Sequence, residues 1–225
     1  MTPLRLGLLA EAPADAAALQ RRLAEADGRA DLLLLPAGHG LDEAALRDAA
    51  RRHGVWLLGG SLARGAPLLR PDGRCAWQQQ HQPQAPAGRW GADPVVFDTP
   101  WGRLGVSHGA DLEFPKHARA QVEAGAWLIL SPAGAEAGHA SERLVLSART
   151  RAMENRCCIA LAPAQGEALV LGPLEQGFPT DGVLARGAGG WLFATLDPAR
   201  LAAPTLGPRQ WPRAPVPMPQ RAEFT

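Results

Sequence analysis

Phe97-Asp-Thr-Pro-Trp-Gly-Arg-Leu-Gly-Val-Ser-His-Gly-Ala-Asp-Leu-Glu-Phe-Pro115 reads as a strand, a sharp turn and the start of a helix. Leu104 and Val106 are strand formers on one face, because side chains alternate along a strand. Gly109 and Ala110 make the turn. Pro115 suits the first turn of a helix, where its missing N–H costs nothing. That helix runs through His117, Ala118, Gln121 and Val122 and stops at Gly125. A strand-to-helix turn at a sheet edge is where α/β enzymes often hold a nucleophile, since helix N-terminal amides stabilise an oxyanion there.

The flanking sequence repeats the alternation of strand and helix. Leu4 to Ala10 is a short buried strand, and Asp15 caps a helix through Ala26 that Gly28 ends. Asp31 to Pro36 is a continuous apolar run closed by proline, the mark of a strand covered on both faces. Asp42 caps the next helix, whose last turn carries Arg51, Arg52 and His53 before Gly54, a charge placement that suits the helix dipole. Val55 to Leu58 is another strand, closed by Gly59-Gly60-Ser61. Pro71-Asp72-Gly73 is a hairpin turn, with Trp77 to His81 as the returning strand and Gln82 to Gly91 as a Pro- and Gly-rich loop. Strands at Val95–Thr99 and Arg103–His108 flank the turn Pro100-Trp101-Gly102. After the helix come a strand at Ala126–Pro132 and a helix over Ser141–Arg156, with Val145, Ala148, Ala152 and Met153 on one face. Strands then follow at Cys158–Ala162, Ala168–Leu171, Gly182–Ala185 and Trp191–Leu196. This order argues an α/β protein with layered packing.

The 225 residues suffice for one domain with a sizeable core. We divide them into a domain over 1–201 and a Pro-rich tail over 202–225. Charges nearly cancel, with 23 Lys+Arg against 22 Asp+Glu, so neither nucleic acid nor a membrane surface is indicated as partner. Cys75, Cys157 and Cys158 are too few for a disulfide framework and fit a reducing compartment. Met1 to Ala10 is short and lacks a basic leader, and no apolar run spans a bilayer. The expectation is a soluble, cytoplasmic protein.

Gly102, Arg103, Leu104, Gly105, Val106, Asp111, Phe114 and Pro115 stand in register with a motif of the carbon–nitrogen hydrolase (nitrilase) superfamily, which this chain resembles. Asp31–Pro36, Val55–Ser61, Gly125–Pro132, Arg151-Ala152-Met153-Glu154-Asn155 and the closing Arg221–Thr225 are similar to further segments of that family. Trp127 takes the place of an Asp. The resemblance implies a nitrilase-like four-layer αββα sandwich. It also implies dimers packed through the helices after the nucleophile turn, with the tail on the partner subunit.

The resemblance further implies three catalytic groups. A Cys thiolate attacks an amide or nitrile carbon, a Glu exchanges protons, and a Lys stabilises the tetrahedral intermediate. The matching positions hold Gly109, Ala37 and Gln79. None of the three can do the work of the residue it replaces. Fewer residues than in active relatives separate Ala37 from Gln79, which implies a pocket more open to water.

His39, His81 and His108 each lie within two residues of one of these positions. Three imidazoles are a donor set for zinc or copper. However, His81 matches a structural His of the family and His39 fits a pocket rim, so no metal or other cofactor is expected. Asp111 and Glu154 read as structural carboxylates of the turn and of the Arg-Ala-Met-Glu-Asn helix. Ser107 and His108 point to opposite faces if both lie on the strand, so they cannot pair. Cys157 and Cys158 read as small core side chains.

Three readings follow. The first is a pseudoenzyme acting as a binding or partner subunit, paired with itself or with an active relative. The second is an enzyme with a repurposed pocket for a small amide- or nitrile-like substrate, using His39, His81, His108 or Asp111. The third is a small-molecule sensor that binds a carboxylate where the oxyanion once sat.

Overall fold

The structure, a computed structural model, describes residues 2–60, 62, 65–79 and 93–202. His81, the loop from Gln82 to Gly91 and the tail beyond residue 202 lie outside the described residues.

In the first half of the chain, β1 (Leu4–Leu9), α1 (Ala16–Ala26), β2 (Leu32–Leu34), α2 (Glu43–His53) and β3 (Trp56–Leu58) alternate, and the hairpin β4 (Ala66–Leu69) and β5 (Cys75–Gln78) follows. Both helices start on an aspartate. Asp15 accepts from the Ala18 amide and Asp42 from the Ala45 amide, which satisfies amides with no partner inside the helix. Gly54 ends α2 in the left-handed conformation.

In the second half come β6 (Val96–Thr99), β7 (Gly102–Val106), a 3-10 turn at Gly109–Glu113, α3 (Pro115–Glu123), β8 (Leu128–Pro132), α4 (His139–Asn155), β9 (Cys158–Ala162), β10 (Glu167–Leu171), β11 (Val183–Ala188), β12 (Trp191–Leu196) and the short α5 (Ala199–Ala202). Two six-stranded sheets result, ordered β12-β1-β2-β3-β4-β5 and β11-β10-β9-β8-β7-β6. The last strand closes on the first, antiparallel, with Leu4 opposite Leu196.

Period-two alternation builds three apolar layers from these strands. Leu4, Leu6, Leu8, Leu32, Leu34 and Leu58 of one sheet meet Leu104, Val106, Leu128, Leu130, Ala160 and Val170 of the other. Leu33, Leu35 and Leu57 point the opposite way, onto Leu19, Leu23 and Leu46 of α1 and α2. Ile129, Ile159 and Leu161 pack on Ala118, Leu144, Ala148 and Ala152 of α3 and α4. Helices, sheet, sheet and helices therefore form the four layers expected from the sequence. No helix among the described residues is long and apolar enough to cross a membrane.

Three local expectations change. The returning hairpin strand, expected over Trp77–His81, is Cys75–Gln78 among the described residues and so starts two residues earlier, because the Pro71–Gly73 turn is tight and pairs Leu69 with Cys75. Strand β7 ends at Val106, and the turn after it is a 3-10 helix running to Glu113. Met153 is 47% exposed; the buried face of α4 runs instead through Leu144, Ala148, Arg151, Ala152 and Asn155.

Candidate functional site

All three positions that the resemblance marks lie at one edge of the sheets, where β2, β5 and β7 end. Ala37 follows β2 and its amide donates to Ala133 O at 2.9 Å, which ties the end of one sheet to the end of the other. Gly109 follows β7, the strand beside β8. Its φ is +55°, and a Cβ built there has no neighbour within 4 Å, so the residue faces open space. Gln79 follows β5, three strand spacings from β2 in the other sheet, and its side chain is exposed. The fold thus brings Ala37 and Gly109 to neighbouring strand ends and places Gln79 farther along the same edge.

His39 is a strut. Its Nε2 meets Gly59 O at 2.7 Å, and its Nδ1 accepts from the Leu41 amide at 3.1 Å. The second bond requires a bare Nδ1, so the proton sits on Nε2 and the ring is neutral. Burial pushes its pKa down, and the bond to Gly59 opposes that only in part. Both nitrogens are in use, so His39 cannot ligate a metal without releasing the loop it holds. Gly60 is the seat of that loop: at φ +66°, any Cβ there would lie inside contact distance of Pro36 O and the His39 ring.

Asp111 is fully buried, with its Oδ2 3.9 Å from Nε2 of His117. The other nitrogen of that ring, Nδ1, lies 3.1 Å from Ser107 Oγ. One turn further along α3, Gln121 Nε2 donates to Val106 O at 2.7 Å. Ser107, Asp111, His117 and Gln121 therefore form a polar layer between β7 and α3, each at most 2% exposed. It has the residue types of a Ser–His–Asp relay, but Ser107 is 0% exposed, so no substrate reaches its hydroxyl. Its role is to seat the turn. The sequence reading placed Ser107 and His108 on opposite sides but missed the partner, His117. The signal was present: Gly105 and Ser107 share one face of a strand, and His117 and Gln121 are four apart on a helix.

Arg151 holds the turn from the other side. Its guanidinium donates to Leu112 O and Glu113 O, each at 3.2 Å, and to Glu154 Oε1 at 2.5 Å. Asn155 also reaches Glu154. Glu154 thus orients an arginine.

His108 is the exception in this ordered surround. It is 4% exposed, and neither ring nitrogen has a hydrogen-bond partner among the described residues. Burial pushes its pKa down, opposed only in part by an interaction with the residue's own backbone. Two of the thiols, Cys157 and Cys158, are buried and poorly acidic. Burial raises Cys157 strongly and pushes Cys158 up to about 12. The chain's one lysine, Lys116, is exposed on the first turn of α3. Among the described residues no group of three His, Cys, Asp or Glu is arranged to hold a metal ion.

No family model matches the chain. A curated relative, the deaminated glutathione amidase of Yersinia enterocolitica, is 33% identical over 147 residues, 53% of this chain and 50% of that protein. The chain thus spans about half the length of the curated relative it matches. Among solved structures, Nit3 of Saccharomyces cerevisiae, a member of branch 10 of the nitrilase superfamily, superimposes with a TM-score of 0.74 at 18% identity, covering 93% of this chain and 97% of that one. An amidase from Nesterenkonia sp. gives 0.72 at 24% identity, over 88% and 92% of the two chains. The chain therefore has the fold of these nitrilase-superfamily structures and, over about half its length, is similar in sequence to a curated amidase.

Proposed function

We propose that this chain is a catalytically silent nitrilase-fold protein, a binding or partner subunit rather than a hydrolase. The observation that carries the reading is the set Ala37, Gln79 and Gly109, which supplies no base, no cation and no thiol where the family's chemistry needs them. Its support is that, among the described residues, three of the nearby polar groups are already in use. Asp111 is committed to His117, Glu154 to Arg151 and His39 to two backbone groups. The test is ammonia release from short amides, ω-amides and nitriles by the native chain. Turnover abolished by changing His108 or Asp111 would replace this reading with the rival, an enzyme with a repurposed pocket.

The partner we propose is a second copy or an active relative, docked on α3 and α4. Leu146 is 61% exposed and Met153 47%, seven residues apart on one side of α4, and Phe114 at the start of α3 is 42% exposed. Exposed apolar side chains grouped in this way mark an interaction face. We expect light scattering to give a dimer at micromolar concentration and a monomer for the Leu146→Glu, Met153→Glu double variant. A native monomer would remove the proposed interface. The compartment we propose is the cytoplasm, because three cysteines, Cys75, Cys157 and Cys158, are too few for a disulfide framework and suit a reducing medium.

A further inference from the structure

We propose that the cavity between α4 and the β9–β10 hairpin binds a dipeptide-sized zwitterion, with its ammonium toward Glu136, Glu142 and Glu167 and its carboxylate toward Arg149 and Arg186. The site is independent of the reading above, because Ala37, Gln79 and Gly109 do not line it.

The cavity has a volume of about 250 Å³. Its floor is apolar. Leu161 and Leu169 stand opposite each other on β9 and β10, and Leu144 of α4 packs in the same layer. A small concave site with an apolar floor and a few charged groups at its rim is the usual form of a ligand pocket. The rim is open to water: the side chains of Glu142, Glu167 and Arg186 are exposed, and Arg149 is half-buried. Glu136 has Oε2 covered and without a hydrogen-bond partner among the described residues, while its Oε1 is not covered. A cation at Oε1 would offset the solvation that Oε2 has lost.

Topology sorts the charges by sign. Glu136 and Glu142 flank the start of α4, and Glu167 opens β10 just after the turn from β9, so the acids share one end of the cavity. Arg149 comes seven residues after Glu142, about 10 Å along the helix. Arg186 of β11 pairs with Leu169, two residues and about 7 Å along β10 from Glu167. The Arg149 guanidinium also turns away from the acids, donating to Asp181 O at 2.7 Å. Among the described residues none of the five charges makes an ion pair. The helix dipole places about half a positive charge at the acidic end, and three carboxylates outweigh it.

The ligand is the complement of this pattern. It carries a cation at one end, an anion at the other about 7–10 Å away, and an apolar group between. An extended dipeptide spans about 7 Å, whereas a single amino acid spans about half of that. An aliphatic side chain on the dipeptide would rest on Leu161 and Leu169.

The experiment is calorimetric titration of the full chain with glycyl-leucine at pH 7. Controls are N-acetyl-glycyl-leucine, which lacks the ammonium, glycyl-leucine methyl ester, which lacks the carboxylate, and leucine, which is too short. We expect saturable binding of glycyl-leucine and at least about tenfold weaker binding of each control, the worth of one hydrogen bond to a charged group. Two exposed residues then locate the ends. Arg186→Gln should weaken glycyl-leucine about three- to tenfold and leave the methyl ester unchanged, and Glu167→Gln should do the same with the N-acetyl compound unchanged. No saturable binding up to about 10 mM would overturn the proposal, since a ligand held at both ends should saturate there. Equal binding of either blocked compound by the native chain would also overturn it, whether or not the variants fold. So would full affinity for glycyl-leucine in both variants.

Discussion

Gly109→Cys alone should release no ammonia from any short amide or nitrile, whereas the triple variant with Ala37→Glu and Gln79→Lys should exceed it by at least about a thousandfold. A thiol at position 109 projects into open space, so it meets no clash, only the modest strain of a left-handed residue. What it lacks is activation. Ala37 cannot take its proton, and its pKa stays near the ordinary value of about 8.5. Gln79 is neutral, so the tetrahedral oxyanion finds no cation. General acid–base help contributes about a hundred- to ten-thousand-fold, and one oxyanion donor about a hundred- to a thousand-fold. The two act as a unit, so their product is an upper bound. Ammonia assays on the native, single and triple chains decide the matter. Activity in the single variant would mean that another base is present. Inactivity of a folded triple variant would mean that the exposed residue 79 stands too far along the edge to serve.

Arg151→Met should cost about 3–4 kcal/mol of unfolding free energy, or about 10 °C in Tm. Methionine fills similar volume, so packing loss is small. The loss comes from three acceptors left behind: Leu112 O, Glu113 O and the Glu154 carboxylate. The Arg151 side chain is 8% exposed and Glu154's is 27% exposed, so water relieves Glu154 only in part. Arg151→Lys should recover little, because an ammonium cannot span three acceptors in one plane. Adding Glu154→Met to Arg151→Met should restore roughly half of the loss, since it removes the stranded charge. Urea unfolding measures all three. A cost below about 1 kcal/mol for Arg151→Met would show that the turn does not depend on this clamp.

Local patterns in the sequence predicted most of the architecture. Continuous apolar runs at Leu32–Leu35 and Leu128–Leu130 foretold strands covered on both faces, and Asp15, Asp42 and Gly54 marked helix ends through their capping chemistry. The proposed loss of the three catalytic groups rests on sequence register, which the neighbours Pro36 and Asp111 keep. Contacts between distant segments were not readable. His117 is one residue in a helical pattern until the fold sets it against Ser107, and His39 looked like a pocket group until Gly59 and Leu41 took both its nitrogens. Met153 fitted the helical spacing, yet Arg151 holds the buried face because its charge is spent on the turn. Helical period gives a stripe, and it does not say which residues of a wide stripe a partner element covers.

The pairing of β12 with β1 bears on how the chain is made. Leu4 leaves the synthesis machinery long before its partner Leu196, which comes almost two hundred residues later. Until then β1 presents Leu4, Leu6, Leu8 and Leu9 along an open edge, a template for adding a strand from another chain. Contacts so distant in sequence also slow folding, because the intervening loop must be closed before the pairing rewards it. A nascent or truncated chain without residues 191–196 is therefore the form most exposed to aggregation, and the one for which a chaperone would matter most.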